Sequence, residues 1–154
     1  MLIMLLRKAN LFQDLSDASL EAIAGIAVEE RHAAGTFLFR AGEPAADLCI
    51  LAEGRVRISV SRSGALAHTV SDPGEAMGWS SMAGLDAYTA SAECVAPTTV
   101  ARIPSARLMY ILEADPASGF KFFRRLARQI GARLVESYGA TLSLHGQKGA
   151  GSYG

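Results

Sequence analysis

Hydrophobic positions recur at helical spacing near the start of the chain. The apolar residues that form this stripe are Leu11, Phe12, Leu15, Leu20, Ile23 and Ile26. Ser16 precedes the second half of this stripe and is a typical helix N-cap. Residues 1–6 are also apolar, but they are too few to span a membrane or to form a signal sequence. They predict the start of an amphipathic helix.

Between Arg31 and Ile103 the pattern changes to short apolar runs separated by glycine or proline. TFLF, DLCILAEG, RVRISVS and TTVARI have the composition of strands, and RVRISVS alternates strictly between polar and apolar residues. SRSGALAHTV predicts a hairpin that turns at Ser63 and Gly64. Turn signals at intervals of about eight to twelve residues predict a β-barrel or a β-sandwich.

The helical period returns after Ile103. Pro104 marks the start of a short helix, SARLMYILEAD, and Pro116 opens a longer one that we expect to end at about Tyr138. The apolar positions of the long helix are Phe120, Phe123, Leu126, Ala127, Ile130, Leu134 and Val135. Its basic residues Lys121, Arg124, Arg125, Arg128 and Arg133 are interpreted as a solvated face, not as a surface for RNA or membrane. We predict one domain over residues 1–140 and a flexible glycine-rich tail over 141–154.

Composition narrows the class of protein. The chain has 154 residues, half of them hydrophobic, which is enough for one domain with a real core. Lys and Arg number 15, as do Asp and Glu, and this balance argues against a dedicated nucleic-acid binder. Cys49 and Cys94 each lie in an apolar segment and are interpreted as reduced, buried thiols, with a disulfide as the alternative. Cytoplasm is the expected location, and no membrane partner is expected.

Candidate catalytic chemistry is sparse. His32, His68 and His145 lie far apart in the sequence, and none has a partner at metal-ligand spacing. Ser80 lacks the G-x-S-x-G context of a hydrolase nucleophile. The segment GQKGAG lacks the spacing and the strand–helix context of a P-loop. The sequence therefore predicts a protein that is not an enzyme and that has no metal site.

One stretch, GWSSMAGLDAYTA over residues 78–90, has the character of a binding loop. It predicts a loop that leads into one short helical turn and then returns to a strand. Backbone N–H groups at such a turn can hold an anion. The stretch nevertheless contains no Lys and no Arg, and its one acidic residue is Asp86.

The chain resembles the cyclic nucleotide-binding domains of the bacterial catabolite-activator/FNR type. The resemblance lies in LFQDLS at 11–16, AGTFLFRAGEPAADLCILAEGRVRISV at 34–60, PGEAMG at 73–78 and RIPSARLMYILEADP at 102–116, and it covers about 11–138. It implies an α+β fold that is mainly β. The architecture is a β-barrel or jelly roll with an N-terminal helix and a long C-terminal helix.

The resemblance also implies a phosphate-binding cassette, which departs here from the family pattern. In the family a Gly-Glu pair and a later Arg followed by a small residue hold the ribose hydroxyl and the cyclic phosphate. Gly78 matches the glycine, but Trp79 stands at the glutamate position and Tyr88 at the arginine position, followed by Thr89 and Ala90. Ser80 and Ser81 could add hydroxyl donors, and any residual ligand is expected to be held by their amides and by the hydroxyl of Thr89, with Tyr88 nearby. Ser137 and Tyr138 could approach it from the long helix. Glu75 is interpreted as a solvated turn residue, not as the missing acid.

Three interpretations of the cassette stay open at this point. Trp79 could fill the space of the sugar, the site could serve a different small ligand, or a cyclic nucleotide could bind weakly. The corresponding functions are a small-molecule sensor and a structural dimerisation or protein-interaction domain with a filled pocket. Phe123 and Ile130, like Ala127 and Leu134, are seven residues apart, which predicts a homodimer through the long helix.

Regulators of this type carry a helix-turn-helix domain after the long helix. Only 16 residues follow Tyr138 in this chain, and they are rich in glycine. We therefore expect the chain to be the sensor part alone, without specific binding to duplex DNA.

Overall fold

The computed structural model describes residues 2–60 and 65–144 of the chain. Four α-helices, eight strands and two short 3-10 helices are present in these residues. The helices are α1 (Leu2–Lys8), α2 (Asp17–Ile26), α3 (Ser105–Ala114) and α4 (Pro116–Leu144), and the 3-10 helices span Asn10–Phe12 and Trp79–Ser81. The strands are β1 (Val28–His32), β2 (Phe37–Phe39), β3 (Asp47–Glu53), β4 (Val56–Val60), β5 (Ala65–Val70), β6 (Ala76–Met77), β7 (Ala90–Cys94) and β8 (Thr98–Pro104).

The strands form two four-stranded antiparallel sheets. One sheet has the order β1-β8-β3-β6 and the other has the order β2-β7-β4-β5. Strand β3 pairs with β8 from Asp47↔Pro104 onwards, and β4 lies between β5 and β7. The two sheets are the halves of the predicted barrel, so the mainly β architecture with helices at both ends of the chain is confirmed.

Strand β3 is buried on both faces, which explains its uninterrupted apolar run. Leu48 and Ile50 point to a core shared with the helices, whereas Cys49 and Leu51 point to the core between the sheets. Alternate residues of a strand face opposite sides, so a strand between two cores needs apolar residues at every position. Both cysteines are free and fully buried, and burial raises the pKa of the Cys49 thiol to about 12.

The helices are held together at the point where α4 begins. Ser16 caps α2 as predicted, because its Oγ accepts a hydrogen bond from the N–H of Ser19 at 3.1 Å. The carboxylate of Asp115 accepts hydrogen bonds from the hydroxyl groups of Ser16, Ser19 and Ser118 at 2.7, 2.8 and 2.6 Å. These bonds hold the pKa of Asp115 well below its usual range. They join α2 to the start of α4 and set the direction in which α4 leaves the helical core.

The long helix differs from the prediction in two ways. It runs to Leu144, six residues past Tyr138, and the rest of the predicted tail lies outside the described residues. Its apolar residues form two faces instead of one. Phe122 and Leu126 are buried, and Phe122 stacks on Phe12 with ring centroids 5.7 Å apart. Phe120, in contrast, is 66% exposed.

Other predicted elements fall where the sequence pattern places them. The helices after Pro104 and at Pro116 begin at the expected residues, and residues 2–8 are helical. The predicted hairpin connects β4 to β5, but its turn at Ser63 and Gly64 lies outside the described residues. No helix among the residues that the structure describes has both the length and the apolar character needed to cross a membrane.

Candidate functional site

A cavity of about 320 Å³ lies where the barrel meets α4. This volume is at the lower end of the range of about 300–1,000 Å³ that is usual for ligand pockets. The barrel contributes an apolar wall, formed by Phe39, Ile58, Val60, Val70, Ala76, Met77 and Ala90. Polar groups come from His68 of β5, from Ser80 and Thr89, and from one face of α4.

Gly78 begins the turn that borders the cavity, and its position requires glycine. Its φ of +79° lies in the left-handed region, which side chains disfavour. A Cβ there would lie 3.1 Å from the carbonyl oxygen of Asp47 and 3.3 Å from both the Phe39 and the Tyr88 ring. The short helix Trp79–Ser81 follows directly, and the Ser81 hydroxyl donates to the carbonyl of Gly78 at 2.9 Å. The segment therefore begins with the loop and short helical turn that its sequence predicted.

Trp79 stands in the wall of the cavity. Its side chain is half-buried and packs against the edge of the helical core. A cavity of about 320 Å³ remains beside it. Trp79 therefore borders an open cavity, and the interpretation in which it fills the space of the sugar stays a prediction.

A pair of hydroxyl groups marks the cassette side of the cavity. The Oγ of Ser80 lies 3.2 Å from the Oγ1 of Thr89, and Ser80 also accepts a 3.4 Å hydrogen bond from the N–H of Thr89. Both residues line the cavity, as does Ala90 at the start of β7. Ser81 does not line it, because its hydroxyl is turned back to Gly78.

Tyr88 is not placed as the sequence predicted. It is 6% exposed, lies in the core between the sheets and stacks on Phe39 with ring centroids 4.1 Å apart. Its hydroxyl group donates to the carbonyl of Asp47 at 2.8 Å and accepts from the N–H of the same residue at 3.0 Å. Burial raises the pKa of this phenol, which keeps the proton that it donates. Tyr88 thus holds the loop to β3 from the core side, and its neighbour Thr89 lines the cavity.

The contribution of α4 is a set of polar residues at helical spacing. Gln129, Arg133, Glu136 and Ser137 all line the cavity. Tyr138, which was predicted beside Ser137, does not line it. The interpretation of the basic residues as a solvated face is therefore wrong for Arg133. Its side chain is 29% exposed, and a guanidinium nitrogen lies 3.6 Å from the carboxylate of Glu136.

A second cavity of about 340 Å³ adjoins the first and shares Ala76, Gln129, Arg133 and Glu136 with it. Glu75 is a turn residue, as the sequence suggested, but it is only partly exposed and lines this second cavity. Its carboxylate accepts hydrogen bonds from the N–H groups of Ser71 and Asp72 at 3.3 and 2.9 Å, and it lies 3.3 Å from the His68 ring. Glu75 therefore closes its own turn and orients His68 at the edge of the first cavity.

Metal chemistry has no basis in the residues that the structure describes. Within 2–60 and 65–144, no three His, Cys, Asp or Glu side chains are grouped so that they could hold a metal ion. His145 lies outside the described residues.

Comparison with known proteins agrees with this geometry. The model of the family described as cyclic nucleotide-binding domain matches residues 29–115. The chain belongs to the cyclic nucleotide-binding domain family. The match spans the barrel from β1 to the end of α3, so the cassette loop and all eight strands lie within or at the edge of the family region.

Solved structures agree with the assignment of the cyclic nucleotide-binding domain. A candidate cyclic nucleotide-binding protein from Geobacter metallireducens is 31% identical, with a TM-score of 0.76, over 87% of this chain and 98% of that chain. The catabolite activator protein of Thermus thermophilus has a TM-score of 0.72 at 21% identity, over 89% of this chain and 63% of that one. The sensor domain of the regulator DNR from Pseudomonas aeruginosa also has a TM-score of 0.72 at 21% identity, over 86% and 91%. The last two likenesses show the fold.

A plant ion channel shares part of the domain. Cyclic nucleotide-gated ion channel 18 of Arabidopsis thaliana is 32% identical over 77 residues. The aligned part is 48% of this chain and only 11% of the channel. The likeness therefore concerns the binding domain and not the channel as a whole.

Sequence reasoning about this cyclic nucleotide-binding domain missed two residues of the site. Gln129 and Arg133 of α4 were not predicted, although they continue the buried positions Phe122 and Leu126 at spacings of three and four residues. A stripe that changes from apolar to polar partway along a helix was the available signal. Thr89, in contrast, was predicted to offer its hydroxyl to a ligand, and it lines the cavity.

Proposed function

We propose that this chain is a non-enzymatic regulatory domain that binds a small ligand in the cavity between its barrel and α4. The observation that carries the proposal is the cavity itself, which combines an apolar wall with hydroxyl, amide and guanidinium groups. Ligand sites are typically apolar pockets in which a few polar groups orient the ligand. The membership of the chain in the family supports the same function.

We propose further that cyclic AMP and cyclic GMP bind weakly or not at all. Between Gly78 and Ala90 the cavity is lined by Trp79, Ser80 and Thr89, none of which carries a charge. Neither the ribose hydroxyl nor the cyclic phosphate would meet a charged partner from this loop. Uncharged hydroxyl groups replace that partner only in part, because charge-assisted hydrogen bonds are about twice as strong as neutral ones.

A second function, dimerisation through α4, is supported by a separate observation. Phe120, Ala127 and Leu134 are exposed at intervals of seven residues, and the half-buried Phe123 and Ile130 lie between them. Spacings of three and four residues in alternation form the seam of a two-stranded coiled coil. The occupant that we propose for this face is a second copy of the chain, because a heptad seam is complementary to itself.

The ligand-binding proposal is tested with a cavity-blocking variant. Ala90 lines the cavity, so Ala90→Phe should obstruct it, whereas Ala83→Phe places the same side chain on an exposed residue of the loop that does not line it. Small molecules that raise the melting temperature of the wild type should lose this effect in Ala90→Phe and keep it in Ala83→Phe. A screen whose hits act equally on all three proteins would instead favour the purely structural role.

We infer no specific binding of this chain to duplex DNA and no membrane association. The net charge of zero supports this inference. A cytoplasmic location remains a prediction. Selection of duplexes from a random pool at physiological salt is the test, and a single selected site bound at nanomolar affinity would contradict the inference.

A further inference from the structure

The polar stripe of α4 has a feature that packing does not explain. Phe122 and Leu126 pack in the helical core, and the next residues on the same side of the helix are Gln129 and Arg133. Positions three or four apart share one helix face, so apolar side chains would be expected to continue there if the cavity were only a packing gap. The stripe becomes polar in the part of α4 that borders the cavity.

Arg133 is distinctive among the residues that line this cavity. Of those that the structure describes, it alone carries a permanent positive charge, and His68 is the other group that can become positive. His68 already lies 3.3 Å from the carboxylate of Glu75. The contact of Arg133 with Glu136 is weaker, since the atoms are 3.6 Å apart and the Glu136 side chain is 64% exposed. An anion in the cavity could therefore replace Glu136 as the partner of Arg133.

We propose that the cavity selects a small organic anion with an apolar body, and that Arg133 of α4 supplies the positive charge that the cassette loop lacks. This inference rests on the proposed ligand-binding function and adds the chemical class of the ligand and the residue that recognises it. The apolar body lies against the barrel wall formed by residues such as Ile58, Val70 and Met77. The anionic group, a carboxylate or a phosphate, pairs with the guanidinium fork.

The test uses the single tryptophan of the chain, Trp79, whose side chain lines the same cavity. Its fluorescence is followed while the full chain is titrated with 4-phenylbutyrate, with phenyl phosphate and with the neutral amide 4-phenylbutyramide. We expect at least one anion to bind about tenfold more tightly than the amide, as one charge-assisted hydrogen bond implies. Comparison of the two anions identifies the preferred headgroup.

Variants then assign the preference to Arg133. Arg133→Met removes the charge and keeps the length of the side chain, so it should abolish the preference for the anion. Arg133→Lys should keep part of it, because the charge stays but the guanidinium fork is lost, and the exposed control Arg124→Met should keep all of it. Glu136→Gln should tighten anion binding about two- to threefold, because it removes the competing carboxylate of an exposed pair. Tighter anion binding by Glu136→Gln cannot arise from misfolding, so this variant still tests the proposal if Arg133→Met is unstable.

The outcomes separate this inference from the proposed function. A preference for anions that persists in Arg133→Met would overturn the role of Arg133. Equal binding of the anions and the amide would overturn the anion selectivity while leaving a ligand-binding cavity. Absence of any fluorescence change at millimolar concentration would also count against the selectivity. The proposed function itself would fall if the melting-temperature screen found no ligand, or only ligands that act equally on the wild type, Ala90→Phe and Ala83→Phe.

Discussion

The phenol of Tyr88 exchanges two hydrogen bonds with the backbone of Asp47, donating to its carbonyl at 2.8 Å and accepting from its N–H at 3.0 Å. This pair joins the end of the cassette loop to the first residue of β3. The carboxylate of the same Asp47 lies 3.5 Å from Arg102, which also bonds to Glu30 at 2.8 Å. The loop is thus anchored in the sheet by a side chain that never reaches the cavity.

Tyr88→Phe should therefore destabilise the domain by about 1–3 kcal/mol, because two backbone groups of Asp47 lose a partner in a largely buried setting. Urea unfolding monitored by circular dichroism measures the change. The matched control is Tyr110→Phe, since Tyr110 is 76% exposed on α3 and its substitution should change stability by less than about 0.5 kcal/mol. Equal stabilities of the two variants would mean that the Tyr88 bonds contribute nothing to the fold.

Gly78 and Gly84 allow backbone strain to be separated from crowding. Both have a φ near +80°, but a Cβ at Gly84 would meet no atom within 4 Å, whereas one at Gly78 would approach Asp47, Phe39 and Tyr88. Gly84→Ala should thus lower the free energy of unfolding only because alanine disfavours the left-handed conformation, by about 1–2 kcal/mol. Gly78→Ala should lower it further, because the new Cβ must also displace its neighbours. If Gly84→Ala has a lower melting temperature than Gly78→Ala, the neighbours of Gly78 do not restrict that position.

The parts of the fold that the sequence predicted well depend on local chemistry. Ser16 was identified as a cap because a side-chain oxygen before a helix bonds within the next three residues. Gly78 was identified through the resemblance, and its left-handed φ is the local reason why a glycine stands there. Both signals lie within a few residues of the feature that they predict, so no knowledge of the tertiary structure was needed.

The errors concern choices that only tertiary packing decides. Phe120, Phe122 and Phe123 all fit an apolar helix face, and the stacking of Phe122 on Phe12, more than a hundred residues away, determines which one is buried. Tyr88 and Thr89 are adjacent, and the space beside Phe39 receives Tyr88, which leaves Thr89 to face the cavity. Arg133 was interpreted as solvated because the sequence does not reveal that α4 passes over the open part of the barrel.

Asp115 should make stability depend on pH in the acid range. The hydroxyl groups of Ser118, Ser16 and Ser19 lower its pKa in the folded state. A lowered pKa adds stability that is fully present above the unfolded value of about 3.9 and is lost as the pH falls towards the folded value. The stability difference between wild type and Asp115→Asn should therefore be constant above about pH 5 and shrink below about pH 4. Urea unfolding at a series of pH values measures it, and a difference that does not change with pH would contradict this role.

The proposed dimer is best tested at Leu134. Ile130 lies on the same seam, but it also packs against the helical core of its own chain, so Ile130→Asp would confuse dissociation with unfolding. Leu134 is 50% exposed, and Leu134→Asp should convert a dimer into a folded monomer, because each buried leucine contributes about 1.5–3 kcal/mol. Sedimentation equilibrium measures the mass, with Tyr110→Asp on α3 as the exposed control. A wild type that is monomeric at high micromolar concentration would end the proposal.

Restoring the two missing charges at positions that face the cavity should restore affinity for cyclic AMP. An arginine paired with a buried phosphate is worth about 2–5 kcal/mol, or about 30- to 3,000-fold in dissociation constant, so the wild type is expected to bind no better than millimolar. The structure directs the arginine to position 89, since Tyr88→Arg would break the bonds to Asp47 without reaching the cavity. Trp79→Glu with Thr89→Arg should therefore gain at least tenfold by calorimetry, and the uncharged pair Trp79→Gln with Thr89→Met should gain nothing. Micromolar binding by the wild type would mean that other groups, Arg133 foremost, already replace the charged pair, whereas no gain in the charged variant would mean that the loop cannot hold a phosphate.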